Sequence, residues 1–299
     1  MKLLGRYKNG NYTVSLFDDG TKVRSTLSDK FIPKFAENCD VKITDCCDGG
    51  CAMCYEGCTP KGKHGDILNW AFLDSLHPYT EMAINGNDLS HPDLIEFLTA
   101  LKERKVIANM TVNQIHFERK RAFIDNLVEN NLIHGLGVSL NAPTNEFIST
   151  IQQYPNAVIH TINGVLTRSD VQALANHNLK ILILGYKQLH RGVDYYNLNA
   201  DIIKMKQRWL RDNLAEIATQ FNVVSFDNLA IEQLNVRQLM SETQWEEFYM
   251  GNDGTMTFYI DMVEGQFGKN SLATKRHHML NNIDDMFNII VGNDCCEGA

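Results

Sequence analysis

Val41-Lys42-Ile43-Thr44-Asp45-Cys46-Cys47-Asp48-Gly49-Gly50-Cys51-Ala52-Met53-Cys54 is the stretch on which the reading of this chain turns. Residues 41–44 form a short run of strand character, and thiols at Cys47, Cys51 and Cys54 follow it at once in a C-x3-C-x2-C spacing. Six of the chain's 8 cysteines (Cys39, Cys46, Cys47, Cys51, Cys54 and Cys58) crowd into twenty residues, and the other two are Cys295 and Cys296. In a reducing cytosol such crowding signals metal or redox chemistry rather than disulfides. Thiolates are soft ligands suited to iron–sulfur clusters, zinc or Cu(I). Gly49 and Gly50 let the loop wrap tightly around a bound centre.

Downstream, short apolar runs recur at 81–85, 107–113, 135–140, 157–163 and 180–186, with amphipathic segments between them. One such segment starts at Ser90 as N-cap, with Pro92 in the first turn and Leu94, Phe97, Leu98 and Leu101 as its apolar stripe. Others cover 117–129, 145–153 and 169–177. This is the pattern of successive βα units with right-handed crossovers, and six of them in a row predict an α/β fold whose parallel sheet curls into a partial or full barrel. A long helix over 200–220 and one more strand at 223–226 complete the series. Residues 12–17 and 22–24 flank Asp18-Asp19-Gly20 as a hairpin, with a further turn signal at Asn9-Gly10. Residues 248–250 and 255–262 around Gly251-Asn252-Asp253-Gly254 read as a second hairpin. Three regions result: an N-terminal hairpin extension (1–38), the βα series (39–235) and a C-terminal hairpin and tail (236–299).

With 299 residues, 44% hydrophobic and 21% charged, the composition is that of an ordinary globular protein. The N-terminus lacks the apolar core of a signal peptide and no apolar run spans a bilayer, so the expected location is cytoplasmic, with no membrane partner. A formal net charge of −8 argues against long nucleic acid and toward a small-molecule or peptide substrate. The local clusters Lys102, Arg104, Lys105 and Arg119, Lys120, Arg121 read as solvated helix faces.

A C-x3-C-x2-C loop after the first strand of a six-unit βα series resembles the radical S-adenosylmethionine (SAM) superfamily, whose members share a partial (β/α)6 barrel. The resemblance covers roughly residues 40–230 and leaves the two ends unexplained. It implies a [4Fe–4S] cluster held by Cys47, Cys51 and Cys54, with the fourth iron left open to chelation by SAM. It also implies reductive cleavage of SAM to a 5′-deoxyadenosyl radical that abstracts hydrogen from a substrate, with the electron drawn from a flavodoxin or ferredoxin. The chain departs from the usual pattern at Met53, where an aromatic residue commonly precedes the third cysteine. Residues 54–65 further resemble poorly described radical SAM proteins of phage and bacterial genomes.

The resemblance also implies where SAM would lie. After the second strand the family carries a Gly-Gly-Glu turn that meets the methionine amino group; here Asn85-Gly86-Asn87 stands in that place. Strand ends supply Asn113, then Ser139 and Asn141 for the ribose side, Asn163 and Gly164 for the adenine edge, and Tyr186 to stack on adenine. Lys187 and Arg191 are candidates to hold an anionic substrate group. Each has a bland counterpart: a helix cap, a βα turn or a solvated cation.

Alternatives stay open at this level. Cys46 could replace Cys47, and Cys51, Cys54 and Cys58 form a C-x2-C-x3-C set. A structural zinc site could use Cys51, Cys54, Cys58 and either Cys47 or His64, making the chain a non-catalytic binding module. For substrate, a peptide or protein held by β-augmentation stands first and a nucleotide or nucleoside second. Cys295 and Cys296 read as a disordered terminus, with an auxiliary cluster or a tail folded over the barrel mouth as alternatives, and His277 and His278 read as surface residues.

Overall fold

The computed structural model describes residues 1–294, so Cys295 and Cys296 lie outside the described residues. The chain begins with an antiparallel meander of β1 (Leu3–Asn9), β2 (Tyr12–Phe17) and β3 (Lys22–Thr26). Both sequence turn signals are used, with Gly10 and Gly20 at φ 56° and 87°, so the expected two-stranded hairpin gains β1 as a third strand. The missed strand carries polar residues at alternate positions and only Gly5 and Asn9 are fully buried, which left it no apolar signal.

The main sheet is built from β4 (Asn38–Lys42), β5 (Glu81–Asn87), β6 (Ile107–Asn113), β7 (Gly135–Ser139), β8 (Ala157–Ile162), β9 (Lys180–Leu184), β10 (Val223–Phe226), β11 (Thr257–Asp261), β12 (Gln266–Gly268) and β13 (His277–His278). Its order is β10-β9-β8-β7-β6-β5-β4-β11-β12-β13, parallel from β10 through β11 and antiparallel in the last two pairings. Between the strands run α1 (Leu94–Glu103), α2 (Gln114–Arg119), α3 (Arg121–Glu129), α4 (Asn145–Ile151), α5 (Arg168–Leu174) and α6 (Arg191–Ala218), the last kinked at Asn199. After β10 come α7 (Asn228–Leu234), α8 (Glu242–Phe248) and, beyond β13, α9 (Ile283–Asp294).

Three expectations are corrected, the first being the Ser90 N-cap: α1 starts at Leu94, with Asp93 as its N-cap residue. The first strand of the βα series starts three residues and ends two residues earlier than 41–44, because the Ile43 amide leaves the ladder to bond the Asn85 side chain at 2.9 Å. The second hairpin is not 248–250 with 255–262: Ser241 and Gln244 form a capping box that makes Glu242–Phe248 a helix. The hairpin is instead β11 with β12, its turn held by the Asp261 carboxylate accepting from the Val263 and Glu264 amides. β11 joins β4 in parallel, so residues from the C-terminal region sit inside the main sheet.

The two faces of this sheet differ. Val41, Met82, Ile84, Met110, Val112, Val138, Ile159, Ile181, Ile183, Phe258 and Ile260 are buried in one core with Phe97, Phe117, Phe147, Leu214 and Phe287 of the helices. The opposite face carries Asp40, Lys42, Asn85, Asn109, Thr111, Ser139, His160 and Asp261, which keep accessible surface. Strands of a parallel sheet covered on both faces are normally apolar throughout. A polar second face that is not outer surface must therefore surround open space.

Contacts across the sheet show that it curls around that space. Lys187, just past β9, donates to Ser271, just past β12, at 3.0 Å. In a flat sheet those strands, seven ladders apart, would stand roughly 34 Å from each other. Arg191, at the start of α6, likewise reaches the loop after β4. We call the enclosed space the hollow.

The meander closes the end of the hollow where the strands begin. Lys22 pairs with Glu81 at 2.5 Å and with Glu37 at 3.4 Å, and Arg24 donates to both Glu37 carboxylate oxygens at 2.8 and 2.5 Å. Tyr12 adds its hydroxyl to the same carboxylate at 2.6 Å. Glu37 is 1% exposed, and despite burial these donors and cations hold its carboxyl below the usual range. Among the described residues, no helix is long and apolar enough to cross a membrane.

Candidate functional site

The cysteine loop leaves β4 at the opposite end of the hollow, where the parallel strands finish. Its path is fixed by the backbone ladder of Asp45, Cys47 and Thr59, and by a close approach at Gly62, where a Cβ would stand 2.0 Å from the Asp45 carbonyl oxygen. Three side chains from elsewhere tie it down. Asn87, at φ 48°, donates to the carbonyls of Thr44 and Cys46 at 3.0 and 3.5 Å and to the Cys58 sulfur at 3.3 Å. Asn85 accepts from the Ile43 amide and donates to Glu56 at 2.8 Å. Arg191 donates to the Cys51 and Cys58 carbonyls at 3.1 and 2.8 Å.

Cys47, Cys51 and Cys54 share one neighbourhood and none is tied in a disulfide. The Cys47 and Cys51 sulfurs both face the point above Gly49 where a Cβ would stand, at 3.4 and 3.9 Å from it. Burial pushes the Cys47 thiol up to about 11, and the thiolates of Cys51 and Cys54 add to the effect. Cys51 is raised by burial and by Cys54, against the pull of Arg191. Cys54 goes the other way, held low by the adjacent Cys58 side chain, by the Cys58 and Glu56 backbone amides and by Arg191, and Cys58 rises in return. The other thiols point elsewhere. Cys46 turns to the Pro60 carbonyl at 3.6 Å, and Cys58 is buried between Asn87 and Glu56. His64 is occupied by Thr44 at 2.9 Å and packs edge-on against His91. Among the described residues, no three His, Cys, Asp or Glu side chains close around a single metal ion.

Beside the loop opens a cavity of about 540 Å³, lined by Gly49, Cys51, Met53, Gln114, Asn141 and Glu146 among others. That is within the range of small-molecule pockets. At its rim Asn113 caps α2, donates weakly to the Cys51 sulfur at 3.5 Å and exchanges amide hydrogen bonds with Asn141. Ser139 ends β7 opposite Asn113. The strand ends named from sequence thus gather here, but with partners of their own.

Tyr186 is buried, its hydroxyl bound to the Gly192 carbonyl at 2.9 Å, and its backbone pairs with Gln233. Asn163 donates to the same Gln233 and leaves its own carbonyl oxygen buried without a partner. Gly164, at φ 90°, fits where a Cβ would strike Ile203 at 2.7 Å. Gly86 has no positive φ; it is required because a Cβ would meet Met110 at 2.4 Å and the Thr111 carbonyl at 2.9 Å. Lys187 lies over the Tyr55 ring at 4.2 Å and bonds Ser271, while Arg191 braces the loop. Neither cation stands free for a phosphate.

Sequence reading missed a second support under the loop. His116, from α2, is buried and bonds Asp48 within the C-x3-C segment, and Arg119 donates to the other Asp48 oxygen at 3.1 Å. The signal was the i, i+3 pair His116 and Arg119 on a helix directly after a strand. His160 was also missed. It leans over Gly137 toward Thr111 in the hollow, and burial alone depresses it to about 4, so it is neutral at pH 7. No protein-family model matches the chain, and no curated protein matches it.

Proposed function

We propose that the chain is a cytoplasmic radical SAM enzyme with a partial barrel, in which Cys47, Cys51 and Cys54 hold a [4Fe–4S] cluster. The observation that supports this reading is the placing of Cys47, Cys51 and Cys54 on one braced loop, with Cys51 lining an open cavity, at the C-terminal ends of a curled parallel sheet. In folds of this architecture chemistry sits at that end. When bound, the cluster and SAM supply reductive cleavage to a 5′-deoxyadenosyl radical, which takes hydrogen from a substrate.

The chain's own residues do the holding and the exclusion. Asn85, Asn87 and Arg191 fix the loop's backbone through hydrogen bonds to the Ile43 amide and to the Thr44 and Cys58 carbonyls. Asp48 and His116 pin its tip. Cys58, tied to Cys54 and to Asn87, is kept out of the ligand set. The meander seals the far end of the hollow, limiting solvent access to a reactive intermediate. The electron would come from a flavodoxin- or ferredoxin-type donor.

The test is anaerobic purification and cluster reconstitution, then SAM and dithionite, with 5′-deoxyadenosine quantified by chromatography. Wild type is compared with Cys47→Ala/Cys51→Ala/Cys54→Ala. The reading expects about four irons per chain and 5′-deoxyadenosine that the triple variant lacks. A colourless protein carrying one zinc and releasing none would replace it with the binding module.

A further inference from the structure

The polar face of the hollow contains one carboxylate that the fold does not satisfy. Asp40 is directed by β4 into the hollow, where it lies deep among protein atoms yet presents much of its side chain to open space. Among the described residues, its only hydrogen bond is from Asn38 at 3.1 Å. The neighbouring acids are all engaged. Asp227 accepts from the Gly185 and Ala230 amides, and Asp253 from Asn228 and Asn270. Farther along, Asp45 and Asp261 share Lys42 at 2.7 and 3.3 Å. Lys187 exerts an opposing charge on Asp40, but it is anchored on Ser271 and the Tyr55 ring. Among the described residues, none forms an ion pair with Asp40.

The strand register gives Asp40 its flanks. Ala83 stands beside it on β5 and Tyr259 beside it on β11. Alanine leaves the space above that position open. Tyr259 is 7% exposed, with its ring face covered by Arg276 at 4.8 Å, and among the described residues its hydroxyl has no hydrogen-bond partner. The hydroxyl itself is not sealed off and keeps access to open space. An unpaired carboxylate in such surroundings costs stability unless a cation meets it. A carboxylate without an ion-pair partner and an accessible phenol hydroxyl therefore stand side by side on one wall.

We propose that Asp40 and Tyr259 form a subsite for the ammonium or guanidinium group of a ligand bound in the hollow. The cation would pair with the Asp40 carboxylate, and the Tyr259 hydroxyl would accept one of its N–H bonds. That the ligand is the substrate rests on the radical SAM reading; the binding does not. The chemistry fits an amine-bearing small molecule or a Lys or Arg side chain, and disfavours a phosphate at this wall.

The test uses the full-length reconstituted chain and three probes of similar length: 1,4-diaminobutane, agmatine and succinate. Saturation-transfer difference NMR should show diaminobutane or agmatine bound and succinate not. Asp40→Asn should weaken the bound cation at least tenfold and Tyr259→Phe several-fold. Because neither group is used by the fold, both variants should melt no lower than wild type, and Asp40→Asn somewhat higher. Absence of cation binding by wild type, unchanged binding by Asp40→Asn, or a clear loss of thermal stability in Asp40→Asn would each overturn the assignment. Cation binding by a chain that yields no 5′-deoxyadenosine would retain this subsite and sink only the enzymatic reading.

Discussion

Two arginines touch the cysteine loop, and their surroundings predict very different effects. Arg191 gives two charge-assisted hydrogen bonds, to the Cys51 carbonyl at 3.1 Å and the Cys58 carbonyl at 2.8 Å, from a half-buried position. Each such bond contributes about 1.5–3 kcal/mol. Water replaces part of this once the side chain is gone, because the loop is half-exposed, so Arg191→Ala should cost about 2–3 kcal/mol. For a chain of this size that is a drop of roughly 3–5 °C in melting temperature. Arg119 meets Asp48 with its own side chain 60% exposed, and an exposed pair is worth under about 1 kcal/mol. Arg119→Ala should therefore shift melting by no more than roughly 1.5 °C. Arg191→Lys keeps the charge but cannot fork to two carbonyls, and should fall between. Thermal unfolding of the metal-free chain followed by circular dichroism reads all three. Iron retained after reconstitution should follow the same order. Equal shifts for Arg191→Ala and Arg119→Ala would refute the claim that Arg191 braces the loop.

The meander should detach under acid. Glu37 is held below its usual range, so its contribution is present above about pH 4.5 and lost as pH falls through its folded value. Glu37→Gln should cost about 3–5 kcal/mol at pH 7 by leaving Arg24 and Lys22 unbalanced, with the gap to wild type closing in acid denaturation curves. His160 acts over a higher window. Its folded value near 4 lies below the ordinary 6.5, so the unfolded chain binds the extra proton and stability rises from about pH 4 to 6.5. The rise is on the order of 3 kcal/mol, and urea titrations of His160→Asn across that window should lack it. Gly62→Ala should displace the Asp45 carbonyl, which a Cβ would approach to 2.0 Å, and deprive the reconstituted chain of most of its iron. Wild-type iron content in that variant would show the loop to be more pliable than its contacts suggest.

Much of the α/β framework was legible because one strand face and one helix face are apolar. β6 and β10 fall at the residues that alternation indicated, and α1 buries the stripe of Leu94, Phe97, Leu98 and Leu101. What failed was decided by side chains reaching across the chain. β4 ends early because Asn85, more than forty residues away, takes the Ile43 amide. The segment at 248–250 has strand-like residues, yet the Ser241 and Gln244 capping box sets the preceding turn as a helix. α9 escaped notice although Ile283, Met286, Phe287 and Ile290 repeat at helical spacing and pack into the core. At the site, residue types were legible and their partners were not. Lys187 and Arg191 read as free cations, since nothing local shows that a curled sheet brings β9 back to the loop after β4.

The turn after β5 joins these observations. On the proposed reading, the loop must be braced before any metal arrives. Here Asn87 adopts a left-handed conformation that asparagine tolerates better than most residues, and from it reaches two carbonyls of the loop and the Cys58 sulfur. Asn85 takes the Ile43 amide and the Glu56 carboxylate, and Glu56 in turn receives the Tyr55 hydroxyl and the Cys58 thiol. The chain of contacts runs from the second parallel strand through Cys58 to Cys54. Where the radical SAM pattern carries a glycine pair and a glutamate, this chain has side chains committed to the loop itself. Any recognition of a ligand's amino group at this turn would then fall to its backbone. The free polar groups of the hollow, Asp40, Tyr259 and His160, are left as the ones with chemistry to spare.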